Sequence, residues 1–343
     1  MQKLNSDRKT VSLLMFNRNE VDGILRNIYL LYDAVDEIVI VDSSDKLEYK
    51  KLINKTKSLN RVKIYRVLPT GYSDPMIKYG IDKCHSKYVF KLDADEEPNK
   101  NLIKFIIERK FSFPLYDFYI LNEKERYIKP WVLFSKDSVY KVTGIIHEGI
   151  KFKLKGKLVE PSIHLIDHGT NKEGRVYITK NYLEIESYER PLTNFYIKNF
   201  VLNNNSLLAK IGKKLFNGDE DSISRNIHIY WFISFLVLEI KNLKTKGLSS
   251  FKWQAMWLKY NLAKLRYFKS LPKEEQNLRI KISREILENG ITNYLGFDND
   301  EYVENLTKHF NWDLKGIDVF KFLVNYRYQH KIPFGKNGDF NYN

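Results

Sequence analysis

Over about its first 95 residues the chain alternates short apolar runs with amphipathic helical patterns, and this limits its possible folds most. Val11 to Phe16 reads as a buried strand, closed by Asn17-Arg18-Asn19-Glu20. Val21, Ile24, Leu25, Ile28 and Leu31 then recur at helical spacing on one face. Glu37 to Val41 is a second apolar strand with the polar end Asp42-Ser43-Ser44-Asp45, and Val62 to Val67 is a third. A helix from Asp74 to Cys84 delivers the chain to a fourth strand, Tyr88 to Leu92. Strands that alternate with helices predict an α/β fold: a mostly parallel sheet, right-handed crossovers and helices on both faces. Ligands on such sheets sit at the carboxyl ends of the strands, which is where Asn19, Glu20, Asp42, Ser44, Asp93 and Asp95 fall.

The fourth strand runs straight into Asp93-Ala94-Asp95-Glu96-Glu97. Alternation puts Asp93 and Asp95 on one side of an extended chain, so both can face one point. Carboxylates held that close repel unless a cation lies between them, and hard oxygen ligands suit Mg²⁺ or Mn²⁺. The plainer reading is a strand end followed by an acidic helix start, which Pro98 also favours.

Taken in order, these segments resemble the nucleotide-binding half of family 2 glycosyltransferases, enzymes of the Rossmann-like GT-A fold. The residues concerned are Val11 to Phe16 with Asn19-Glu20, Glu37 to Asp45, and Tyr88 to Glu96. The likeness extends through Trp131-Val132-Leu133-Phe134-Ser135-Lys136 and Gly144-Ile145-Ile146-His147-Glu148, and covers roughly residues 9 to 170. The resemblance implies metal-dependent, inverting transfer of a hexosyl group from a nucleotide-sugar, with a UDP-sugar favoured. By the same resemblance Asp95 holds the divalent metal, and Asp93 faces the ribose or the metal. Glu20 and Asp42 contact the nucleoside, and Asn19 and Ser44 belong to the same donor site. Glu148 falls at the catalytic carboxylate and is expected to act as general base. His168, beside Gly169, is the candidate third metal ligand, with His147 as the alternative; His164, in an alternating apolar segment, reads as structural. His147-Glu148 is otherwise an ordinary pair at a strand end. The chain departs from the family pattern at Phe16-Asn17-Arg18, where Pro-Thr-Tyr is usual. No Arg-Asn pair precedes Gly80, so Lys78 is the nearest cation for the donor diphosphate.

A chain of 343 residues can bury two cores. The expected division is a catalytic domain over 1–170, a mainly α-helical, basic domain over 171–331, and a loosely ordered tail over 332–343. Cys84 is the single cysteine, which excludes an internal disulfide and fits a reducing, cytoplasmic compartment. The polar start of the chain has no signal-peptide pattern. Net charge is +15, and the excess peaks between Lys241 and Lys273, a stretch with nine Lys or Arg and no Asp or Glu. Phe251, Trp253, Trp257, Tyr260, Tyr267 and Phe268 interleave with those charges, and Asn226 to Leu238 just before carries none.

Three readings compete for residues 226–273. They form a solvated lysine-rich face, a peripheral attachment to the anionic cytoplasmic face of a membrane, or a single-strand nucleic-acid grip. The last is disfavoured, because no nucleic-acid motif accompanies the charge. A glycan, a lipid-linked molecule or a protein are all open as acceptor. Two other classes remain beside the transferase: a non-catalytic nucleotide- or sugar-binding protein on the same fold, and a nucleotidyltransferase. The latter normally has a glycine-rich phosphate loop after the first strand, and residues 17–20 contain no glycine.

Overall fold

The computed structural model describes residues 9–122, 126–144, 149–169, 181–188, 201, 203–216, 226–237, 249–310 and 315–330. The chain divides into two compact units: residues 1–175 together with 289–343, and residues 176–288.

The first unit opens with β1 (Val11–Asn17), α1 (Val21–Leu31), β2 (Glu37–Asp42), α2 (Lys46–Thr56) and β3 (Val62–Arg66). A 3-10 turn at Asp74–Met76 leads into α3 (Ile77–Lys83) and then β4 (Tyr88–Leu92). All pairings among β1 to β4 are parallel, as the alternation predicts. The chain continues through β5 (Glu96–Pro98), α4 (Lys100–Glu108), β6 (Leu115–Leu121) and β7 (Arg126–Ser135). It then runs through β8 (Val139–Val142), β9 (Ile150–Phe152), β10 (Lys157–Leu158) and β11 (His164–Asp167). The main sheet has the order β3-β2-β1-β4-β7-β6-β11-β5, with β10 beside β6, while β8 and β9 pair separately. The direction of winding reverses between β1 and β4, which makes their carboxyl ends the switch point of the sheet.

β1 is buried along its whole length, so both of its faces need cover. Val11, Leu13 and Met15 join one core with Val21, Ile24, Ile28 and Leu31 of α1 and with Leu102 and Ile106 of α4. Burying an aliphatic side chain of this size is worth about 1.5–3 kcal/mol. On the opposite face Leu14 and Phe16 lie against α3 at Gly80. A Cβ there would sit 2.8 Å from Leu14 Cδ1, so glycine lets the helix approach this closely without moving Leu14. Helices therefore cover both faces of the central strands. At α4, the Asn99 side chain accepts a hydrogen bond from the Leu102 backbone N–H at 2.9 Å and caps the helix start.

β7 bends partway along. Leu133 and Phe134 pair with both β4 and β6, whereas Arg126 to Lys129 pair with β6 and not β4, beyond a register shift opposite Tyr116 and Phe118. Trp131 takes a left-handed backbone at φ 63°, and its N–H donates to Asp117 Oδ1 at 3.0 Å. A bulge of this kind re-aims the residues on either side of it.

The helices Asp300–His309 and Gly316–His330 belong to the sheet unit. Lys83 pairs with Asp300 at 2.5 Å, and the Ile291 N–H donates to the Thr143 carbonyl at 2.7 Å. The Tyr72 and Phe320 rings meet edge to face with centroids 5.7 Å apart. Residues 289–330 of the stretch expected to be helical thus pack within the sheet unit. Phe320, Leu323 and Val324 are buried, and an apolar helix face is covered where a partner surface exists, whatever its distance in sequence. The mostly parallel sheet with a helical C-terminal region is otherwise as expected.

In the second unit, helices lie over Leu207–Phe216, 226–237, Ser249–Ser270 and most of Lys273–Asn289. Val201, Phe216, Ile227, Tyr230, Trp231 and Leu265 form its core. Arg279 is buried and pairs with Glu184 and Glu275, each at 2.7 Å. No helix among the described residues is long and apolar enough to cross a membrane. Within the stretch expected at a membrane, Ile229, Phe232 and Leu236 are exposed on helix 226–237, and residues 238–248 lie outside the described residues. So does the tail from Lys331 to Asn343.

Candidate functional site

The carboxyl ends of β1, β2 and β4 converge, and hydrogen bonds between their loops hold the convergence together. Asn17, at the last position of β1, is buried and donates from Nδ2 to Asp42 Oδ2 at 2.6 Å and to Ser44 Oγ at 2.9 Å. Its Oδ1 accepts from the Glu20 N–H at 3.1 Å. Asn19 takes φ 61°, a conformation asparagine tolerates better than most residues, and its N–H donates to Ser44 Oγ at 2.9 Å. Asn19 and Asp45 exchange two further bonds, at 2.8 and 2.9 Å.

Asp42 and Ser44 are fully buried. Asp42 accepts from Asn17, from the Ser44 hydroxyl and N–H, and from Arg66, whose guanidinium lies 2.9 Å away. Burial raises the Asp42 carboxyl above its usual range, and these bonds and Arg66 offset part of that. Its hydrogen-bonding capacity is therefore spent within the loop. A nucleoside would have to displace one of these partners to reach it, so Asp42 and Ser44 brace the loop instead of offering a free contact. Lys78 pairs with Asp82 one helical turn on, at 2.5 Å, and does not line the cleft described next.

Beside the switch point lies an open cleft of about 410 Å³, bordered by Asn19, Glu20, Gly23, Arg26, Lys51, Ala94 and Asp95 among others. α1 forms one wall. A Cβ at Gly23 would lie 2.2 Å from the Ala94 carbonyl oxygen, so glycine allows the helix to touch the acidic turn after β4. From the same helix Arg26 donates to the Ala94 carbonyl at 3.1 Å and pairs with Glu97 at 3.2 Å. Asn27 donates to the Glu96 carbonyl at 2.7 Å. Glu20 and Asp95, the two expected carboxylates on the cleft wall, crowd each other. Burial raises both, and the Glu20 carboxyl is raised further by Asp95 and then Asp93. For Asp95 the like charges of Asp93 and Asp167 add to burial.

Asp93 faces a different environment. Its Oδ1 lies 3.1 Å from Lys91 Nζ and its Oδ2 2.6 Å from Lys129 Nζ. Lys129 also pairs with Glu96, whose Oε2 accepts from the Asp93 N–H at 3.1 Å. Burial alone would raise the Asp93 carboxyl, but Lys129 and then Lys91 hold it well below the usual carboxylate range. His168 is brought to the same turn. Its N–H donates to the Asp95 carbonyl at 3.0 Å, while its Nε2 lies 3.0 Å from Glu97 Oε2.

A divalent cation held by Asp93, Asp95 and His168 does not fit these partners. Both Asp93 oxygens meet ammonium groups and the His168 ring is turned to Glu97. Among the described residues, no three His, Cys, Asp or Glu side chains are gathered as they would be around a metal ion. Glu148, expected as general base, and His147, the alternative ligand, lie outside the described residues. Gly149, next along, is described; a Cβ on it would lie 3.0 Å from Asp74 Oδ1. Asp74 was not anticipated. Burial pushes its carboxyl up to about 7, with Lys91 opposing and Asp93 adding to the shift.

Sequence reasoning also passed over Arg26, Asn27, Arg66, Lys91 and Lys129. Lys91 alone left a trace, as a charge inside an otherwise apolar strand. Lys129 left none, since it reaches Asp93 across 36 residues of chain.

No protein-family model and no curated protein matches the chain. Among solved structures it is similar to S. aureus TarS 1–349 in complex with UDP-GlcNAc, at 10% identity and TM-score 0.41, covering 94% of this chain and 92% of that one. A longer S. aureus TarS matches at 12% identity and TM-score 0.38 over 85% of this chain and 55% of that one. HddC from Yersinia pseudotuberculosis matches at 13% identity and TM-score 0.35 over 49% and 98%. Likenesses this distant carry no weight for activity.

Proposed function

We propose that the chain is a nucleotide-sugar-dependent glycosyltransferase whose donor binds in the cleft beside the switch point. One observation carries this reading. An open cleft lies where the carboxyl ends of β1 and β4 part, and the side chains around it are those a nucleoside needs. Glu20 and Asp95 present carboxylate acceptors that suit ribose hydroxyls or a base N–H. Asn19 is held in place by Ser44 and Asp45. The buried Asn17–Asp42–Arg66 cluster keeps the loop from collapsing when the cleft fills.

The resemblance in sequence favours a UDP-sugar and inversion at the anomeric carbon. Inversion requires a base on the face opposite the leaving diphosphate to take the acceptor hydroxyl's proton. Glu148 is the candidate. A glycan, a lipid-linked molecule or a protein serves as acceptor.

The test is turnover of a radiolabelled UDP-sugar. Glu148→Gln is expected to bind donor as the natural protein does and to lose transfer by about 10²-fold or more. Wild-type turnover in that variant would remove Glu148 as the base.

A further inference from the structure

The acidic turn is already supplied with positive charge. Asp93 contacts two ammonium groups, and the second of them, Lys129, bridges Asp93 to the buried Glu96. Lys129 is not a surface lysine that happens to fall there. It sits on β7 two residues before the left-handed Trp131, in the part of that strand that pairs with β6 beyond the reach of β4. The bulge, fixed by the Trp131 N–H on Asp117, sends the Lys129 side chain toward the turn that follows β4. Its side chain is 19% exposed and that of Lys91 15%, so both ammonium groups are largely withdrawn from water. A withdrawn ammonium needs paired carboxylates, and these two find theirs in Asp93 and Glu96.

We infer that Lys129, seconded by Lys91, is the resident cation of the acidic turn, so that Asp93 is closed to a divalent metal ion. With two lysines and two carboxylates already matched, an added Mn²⁺ would meet two like charges at the place where it needs ligands. The inference deepens the donor-site reading above and rests on it for its functional meaning.

The test uses the full chain and Mn²⁺ alone, so it does not depend on which nucleotide binds. Uptake is read from the loss of the free Mn²⁺ paramagnetic resonance signal. The natural protein is expected to show no Asp93-dependent uptake, that is, no difference between it and Asp93→Asn. Lys129→Met is expected to gain one site, tightening Mn²⁺ binding by about tenfold or more, and Lys129→Met with Asp93→Asn to lose it again. One Mn²⁺ bound by the natural protein and lost in Asp93→Asn would overturn the inference. So would a folded Lys129→Met that gains nothing. If that variant does not fold, by circular dichroism, Lys129→Gln takes its place, and the comparison of the natural protein with Asp93→Asn still decides. Failure of every nucleotide to bind would sink the transferase reading and leave the Mn²⁺ result standing.

Discussion

At the scale of single residues, the site depends on close approach as much as on charge. Gly23 lets α1 touch the Ala94 carbonyl, and Arg26 and Asn27, on the same helix, hold the turn from its other atoms. A methyl group at position 23 would overlap that oxygen, and forcing it in costs about 1–3 kcal/mol. Gly23→Ala is therefore expected to lower the denaturation midpoint and to weaken nucleotide binding together, because the atom displaced belongs to the turn that carries Asp93 and Asp95. Unchanged binding in a destabilised protein would separate that turn from the donor site. Asp42 teaches the complementary lesson. A carboxylate at a strand's end reads as a ligand contact, yet its four bonds place it behind the cleft wall.

At the scale of elements, one buried carboxylate joins the start of β2 to β1 and to the loop before β4. Glu37 accepts from Ser12 Oγ at 2.5 Å, from the Ser86 N–H at 3.1 Å and from the His85 N–H. Burial would raise its carboxyl, but these bonds hold it below its ordinary value. A carboxyl lowered on folding adds stability above its unfolded value, and that stability is lost as pH falls through the folded one. Glu37→Gln is thus expected to cost about 1–3 kcal/mol at pH 7 and less at an acid pH where the folded carboxyl is protonated, by urea denaturation. An equal cost at both pH values would contradict this.

The elements themselves were largely legible. Val11 to Phe16, Val62 to Val67 and Lys273 to Asn289 sit within a residue of the observed strands and helix, because local periodicity sets them. The strands β5 to β11, Trp131 to Lys136 apart, were not legible. β5, β9 and β10 are too short to show a period, and β11 meets β5 and β6 from far along the chain. The same reason hid Lys129, whose role is set by a bulge and not by its neighbours in sequence.

At the scale of the whole molecule, the chain does not divide once. Residues 289–330 return to the sheet unit after the helices of 176–288, and they do so through pairs such as Lys83 with Asp300 and Tyr72 with Phe320. Helical spacing could not show this, since it runs through both groups of helices, although 289–330 is slightly acidic where 176–288 is basic. The proposed activity turns on one site, at the switch point of one sheet. The most direct measurement is calorimetric titration of the folded full chain with UDP, GDP and dTDP, beside Asp95→Ala. One nucleotide is expected to bind at one site per chain, and Asp95→Ala to lose that binding. A folded protein that binds none of the three, or that binds one undiminished without Asp95, would contradict a donor site in this cleft.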